Sequence, residues 1–366
     1  MAEEKKKVAM PRILTMQIQE EKFDYTISPE DFAPANDNDK ENFIKQRPAT
    51  TYWKDAWRRL KANKIAMGAL IVLILLILFA FIGPLFVEYT YDQQIRTSLN
   101  LSPMEYSAKE LAAKAAGEKV FPHILGTDSL GRDNLVRAMY ATRISMTIGL
   151  VCSAIVLVIG SIYGAVAGYF GGAVDNVMMR IVDIIYTVPD TLVVIILSIA
   201  LRPKMYAYMD SHTGWISSLM RTLGVNIFAI FIAFALLYWV SMARIVRGQV
   251  LQIKQQEFVL AARASGAKGG RIIFSHLLPN CVGAIVSAVC LQIPTAIFLE
   301  SFLSYLGLGV EAPMVSLGSL ATDALNGMYT YPYRLVIPSV LLLLLILALN
   351  LLGDGLRDAL DPRMKH

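Results

Sequence analysis

The side chains that could do chemistry in this chain are few and poorly spaced for it. Four histidines, His123, His212, His276 and His366, lie far apart in sequence, and no His-Glu-x-x-His run offers a zinc site. Cys152, Cys281 and Cys290 fall in or beside apolar runs without Cys-x-x-Cys spacing, which predicts packing residues and neither a metal site nor a disulfide framework. A phosphate-cradling loop requires an upstream glycine and a Lys-Ser or Lys-Thr pair, yet Lys268 sits between Ala267 and Gly269, and Lys119 lacks the glycine. The chain is therefore not expected to hydrolyse ATP unaided. No nucleophile has the spacing of a known hydrolase elbow. What remains are charges set in oil: Asp183, Asp190 and Glu300, each either a group on a polar path through a membrane or a structural charge buried in a bundle.

One stretch, 249–280, lies between long apolar segments and cannot itself be one. Phe258, Val259, Ala261 and Ala262 fit a short helix interrupted by Gly266, Gly269 and Gly270, and a second apolar turn, 272–278, runs into Pro279. Neither half approaches the ~20 apolar residues that a bilayer demands. Arg244, Arg247, Lys254, Arg263, Lys268 and Arg271 surround it against the single acid Glu257, so the positive-inside rule places it in the cytosol. An amphipathic pair resting on headgroups would also welcome the basic residues. Ala261, Ala262, Ser265 and Gly266 give little grip on lipid but allow another protein to approach closely, which favours docking.

The elements around this loop follow from hydropathy. With 55% hydrophobic residues the chain exceeds the roughly 45–50% of a soluble domain and is expected to be an all-α integral membrane protein. The net charge of +5 is concentrated in segments placed inside, so it speaks for orientation and not for nucleic acid. Residues 1–50 lack an apolar run long enough for a signal peptide and read as a poorly ordered cytosolic tail. Within 51–87, Trp53 and Trp57 alternate with basic residues in an interfacial helix that lies against lipid headgroups and leads into a first span at 65–87. An extracytoplasmic segment, 88–136, is expected to carry a helix over 103–116 capped by Ser102 with Glu105, then a tight turn at 123–133.

Five further spans make the core, 137–356: 144–168 with a Gly160, Gly164, Gly168 stripe, 177–201 kinked at Pro189, 225–246, 281–306 and 335–352. Arg180, three residues before Asp183, is its expected partner, and Asp190 has no local one. A cytosolic tail, 357–366, ends the chain, leaving both termini inside.

The loop resembles the EAA loop of permease subunits of binding-protein-dependent ABC importers, in Ala261 and Ala262, then Gly266, then Leu278, Pro279 and Asn280. The ending GDGLRDALDPR, 353–363, and the turn HILGTDSLGRD, 123–133, resemble those of the C-type subunits of oligopeptide and dipeptide permeases. The resemblance covers nearly everything after Trp53 and implies the six-helix type I importer (MetI-like) fold. Two departures stand out. Leu260 replaces the acid that names the motif, with Glu257 one turn earlier, and in the scoop-like loop 307–332 Leu317 stands where tryptophan is usual.

The resemblance implies a bacterial inner-membrane, multi-pass subunit that forms a heterodimer with a second homologous permease. Two cytosolic ABC ATPases would use ATP and magnesium, and an extracytoplasmic protein would bind the peptide. It assigns Glu257, Phe258, Ala261, Ala262, Arg263, Gly266, Ala267, Leu278 and Pro279 to ATPase docking, and no cofactor to this chain. Nickel permeases share the C-terminal ending, but nickel favours imidazole and no histidine falls within a span. An ion-coupled secondary transporter would require inverted repeats and paired intramembrane charges.

Overall fold

The computed structural model describes residues 52–360, and the expected tail, 1–50, and the last residues of the expected ending lie outside them. Every regular element among the described residues is helical, and six helices are long and apolar enough to cross a bilayer. An amphipathic helix α1 (Tyr52–Ala62) leads through the cap residue Asn63, whose side chain accepts from the Ile65 and Ala66 amides, into the first span, α2 (Lys64–Phe81).

After it, the helix expected over 103–116 begins later, as α3 (Ala108–Ala115). Ser102 and Glu105 do make a cap-like contact, the Ser102 amide donating to Glu105 at 2.7 Å, but Met104 has φ +65 and cannot continue a helix. Ser107 and Glu110 form the capping box instead.

The second span, α4 (Asn134–Phe170), starts ten residues before the expected boundary because the Asp133 side chain caps it at the Val136 amide, 3.0 Å. Its glycine stripe packs as expected on the fourth span, α8 (Val225–Ile253): a Cβ at Gly160 would strike Met242, and one at Gly164 would strike the Ala243 carbonyl. Gly171 and Gly172, at φ +67 and +54, reverse the chain into α5 (Gly172–Thr187).

The expected third span is two helices. Val188 is forced into an extended conformation by Pro189, so α5 ends there and the spanning helix is α6 (Asp190–Ser211), followed by α7 (Trp215–Leu223). After α8 come α9 (Glu257–Ala264), a short helical run α10 (269–280) with a π-turn at Ile273–Leu277, and the fifth span, α11 (Val282–Tyr305).

The loop 307–332 contains α12 (Leu317–Leu325), whose fully buried Leu317 packs in a cluster with Leu320 and Leu345. The sixth span, α13 (Tyr333–Leu360), outruns its expected end at residue 352. Gly355 lets it lie directly on Ala66, and Leu60, Ala66 and Ala359 close a small core there. Cys152 and Cys281 are packing residues of the main core, as their apolar settings predict.

Candidate functional site

The loop after α8 exposes α9 and buries almost none of it. Val259 is the one buried residue of the helix and is shared with a core that includes Ile272, Ile273 and Leu277. Glu257, Phe258, Leu260, Ala261, Arg263 and Gly266 are exposed, with Ala262 and Ala267 half-buried. The helix ends in a Schellman motif: the Gly266 amide donates to the Arg263 carbonyl at 2.9 Å and the Ala267 amide to the Ala262 carbonyl at 3.1 Å. That closure needs a left-handed residue, and Gly266 supplies it at φ +81 with nothing within 4 Å of a would-be Cβ. Leu278 and Pro279 lie nine and ten residues beyond Gly269 along α10, roughly 14 Å at helical rise, so they root the fifth span and do not extend α9.

Basic residues tie this loop to the turn between α4 and α5. The Lys254 ammonium donates to the Gly168 carbonyl at 2.7 Å, and the Arg263 guanidinium lies 5.2 Å from the Tyr169 ring centroid. Together with Phe170, Gln255 and Leu260 they line an open cleft of about 750 Å³. Tyr169 and Phe170 carry no sequence signal for this role, because only folding brings the end of α4 against α9.

A second arrangement runs through the spans. On α5 and α6, Asp175, Asp183 and Asp190 meet Arg247, Arg244 and Tyr238 of α8 in antiparallel order. Asp175 takes both Nε and Nη2 of Arg247, at 2.5 and 2.6 Å, and is nearly buried. Asp183 accepts a single bond from Arg244 at 2.8 Å, so its expected partner Arg180 is displaced by a residue 61 positions away. Arg244 also lies 4.3 Å from the Tyr186 ring centroid. Asp190, without a local partner in the sequence, faces the Tyr238 phenol.

Glu300 is not on this seam. It is fully buried near the C-terminal end of α11 and accepts from Ser316 at 2.6 Å, Ser304 at 2.7 Å and Ser145 at 3.3 Å. The three hydroxyls belong to α12's cap, α11 and α4, so the carboxylate ties three elements together.

Six apolar spans, a polar seam along three of the helices and a short exposed helix between two spans are the features of a membrane transport subunit. The chain belongs to the family described as binding-protein-dependent transport system inner membrane components, whose model matches residues 157–366. Residues 51–103 match the N-terminal TM domain of oligopeptide transport permease C. An oligopeptide transport system permease protein OppC of Bacillus subtilis (strain 168) is 41% identical over 333 residues, 91% of this chain and 96% of the relative.

A dipeptide transport system permease protein DppC of the same organism is 42% identical over 322 residues, covering 88% and 89% of the two chains. The OppC of Haemophilus influenzae is 37% identical, covering 87% and 91%. A chain of the MetNI methionine ABC transporter in inward facing conformations aligns with TM-score 0.46 and 19% identity, covering 62% of this chain and 96% of that one. This is a multi-pass inner-membrane permease subunit.

Proposed function

We propose that the chain is one of two homologous membrane subunits of an ATP-driven importer of oligopeptides or dipeptides, with both termini in the cytosol. Its relatives' names supply the cargo class. The observation that carries the coupling role is α9: an eight-residue helix, exposed on most of its surface and closed by a glycine whose Cβ position is open space. A helix so short has no stability of its own in water. Here it is held by Val259 and the Lys254 and Arg263 anchors while its outer face stays free for the cleft of an ATPase.

Two cytosolic ATPases supply ATP and magnesium chemistry, and an extracytoplasmic protein delivers the peptide. Closure of the ATPases moves α9, and the rigid junctions at Gly168 and Asp175 pass that motion to α4, α5 and α8. Asp183 and Asp190 lie on the polar seam and are the path candidates, whereas the buried setting of Glu300 supports a structural role.

The test is Gly266→Asp. The spans do not depend on this residue, so the variant is expected to insert at wild-type levels, lose transport in proteoliposomes, and leave ligand affinity of the external protein unchanged. Transport at the wild-type rate would remove α9 as the coupling element.

A further inference from the structure

Two neighbouring helical paths are interrupted at the same level. Between α5 and α6, Val188 is extended at ψ +133 and Pro189 has no amide to donate, so the hydrogen-bond ladder stops. In α8 the ladder widens into a π-turn at Phe234–Tyr238. Asp190, the first residue of α6, faces the phenol of Tyr238, the last residue of that turn, so the two interruptions lie side by side. Phe234 and Tyr238 stack across the turn at 4.3 Å between ring centroids, and the Trp239 indole donates to the Leu236 carbonyl at 3.1 Å. Side chains brace what the backbone leaves loose.

On either side of the interruptions the packing sorts into two sets. Met179, Val182 and Ile185 of α5 close on Trp239, Val240 and Ala243 of α8, and Asp175 and Asp183 pair with Arg247 and Arg244 there. Leu201 and Met205 of α6 close on Met220 of α7 and on Val225 and Ala229 of α8, and Arg221 reaches the Met209 carbonyl at 2.9 Å. Neither cluster crosses the level of the breaks. Helix α4 holds the first set backbone to backbone, because Gly160, Gly164 and Gly168 face Met242, Ala243 and Val250. Against 225–233 the contact is of side chains, with Ile227, Ile230 and Ala233 in the main core, and such packing can slide.

We propose that the Val188–Pro189 break and the Phe234–Tyr238 π-turn form one hinge, about which α6, α7 and 225–233 swing as a unit over α5 and 239–253. The inference rests on the importer reading above, in which the ATPases move α9, and α9 follows 239–253 directly along the chain. One break beside an unbroken helix could not turn. Two at one level can, because a few dihedrals absorb the rotation and no helical hydrogen bond is stretched. The swinging unit also grips the loop 307–311: the Tyr206 phenol donates to Glu311 and the Asn226 amide to the Gly309 carbonyl, each at 2.6 Å. The hinge thus joins α9, at one end of α8, to the loop held at the other.

The experiment places pairs of spin labels on the complete importer, with Cys152, Cys281 and Cys290 replaced by alanine, and compares distances before and after trapping with magnesium ATP and vanadate. Asn176→Cys with Ser218→Cys spans the hinge, whereas Asn176→Cys with Gln252→Cys and Ile199→Cys with Ser218→Cys each stay within one unit, all at exposed positions. Helix α6 has 22 residues, roughly 33 Å at helical rise, so a turn of about 10° moves its far end by about 6 Å. The distance across the hinge is expected to shift by about that much, and the other two to hold. An unchanged distance across the hinge, or equal changes within the units, overturns the proposal. If the complex hydrolyses ATP but moves no peptide, the importer reading fails while the distances still decide the hinge.

A second measurement uses Pro189→Ala, because alanine restores the missing amide and lets α5 run on into α6. The stiffened variant is expected to reach the membrane at wild-type levels with an unchanged or higher Tm, and to lose peptide uptake severalfold. A residue of merely structural value would lower both together. Uptake at the wild-type rate overturns the hinge.

Discussion

The segment 88–133 and the loop 254–268 both lie between spans and both turn on left-handed glycines, yet one is finished and the other is not. In the first, Thr127 donates to the Ser98 carbonyl and accepts from the Leu101 amide, and Asp128 takes the Leu130 and Arg132 amides and the Arg132 and Arg137 guanidinium groups. Gly131, at φ +74, has the Ile95 carbonyl where its Cβ would be. In the second, Gly266 has the same backbone conformation and empty space. A loop that satisfies its own polar groups is a platform; a loop that leaves a helix face and a glycine uncovered has the surface that the proposed coupling role requires.

The sharpest way to break this contrast is to add one methyl group to each glycine. Gly131→Ala combines a left-handed strain with a clash against backbone, and about 3 kcal/mol or more should be lost. Membrane levels and thermal stability in detergent should both fall. Gly266→Ala carries only the conformational cost, about 1 kcal/mol, and should accumulate normally. Equal effects would mean that the loop around Gly266 is as closed as the segment around Gly131.

Glu300→Ala comes next, because it strips the shared acceptor from three buried hydroxyls. A loss of about 3 kcal/mol is expected, with Glu300→Gln recovering part of it. An alanine variant that unfolds at the wild-type temperature would show that the carboxylate ties nothing down.

His123 tests the closed segment by pH. Burial lowers its basicity, but hydrogen bonds and charge from Asp133, at 2.7 Å, and Glu110, at 3.2 Å, outweigh burial and raise the pKa above the ordinary 6.5. A raised pKa contributes stability that is complete below 6.5 and disappears as pH climbs through the folded value. Tyr89 stacks on the same ring, and its own pKa, pushed up to about 12, keeps it neutral across that range. Thermal stability should therefore decline as pH rises above about 6.5, and His123→Gln should flatten that decline. A wild-type profile as flat as the variant's would remove the histidine from the platform.

The smallest effect on stability belongs to labelling. Lys109→Cys and Ser218→Cys, both exposed on the platform side, should react with impermeant thiol reagents in sealed cells, and Ser265→Cys only after the membrane is opened. Reaction of Ser265→Cys in sealed cells would invert the topology and place α9 outside.

Local patterns that need no partner were legible in the residues. The spans of α2, α8, α11 and α13 follow from apolar run length, the Gly160–Gly164–Gly168 stripe announces close packing, and Gly266 is readable as the residue that interrupts the short helix. Where local signals compete, sequence position misleads. Ser102 with Glu105 and Ser107 with Glu110 are equivalent caps on paper, and only the left-handed Met104 decides between them.

Pro189 signals a bend, but whether it bends one helix or separates two depends on what the flanking segments pack against. The partners of buried charges were beyond reach for a plainer reason. Asp183 chose Arg244, Glu300 collected hydroxyls from three elements, and Tyr169 met Arg263 from 94 positions away. Hydropathy and capping are properties of a few consecutive residues, so the sequence by itself determined that there are six apolar spans, and the stop at Gly266, but not where each span begins and ends. A charge in a membrane is satisfied by whatever the packed helices bring within about 3 Å, and that only the tertiary structure could decide.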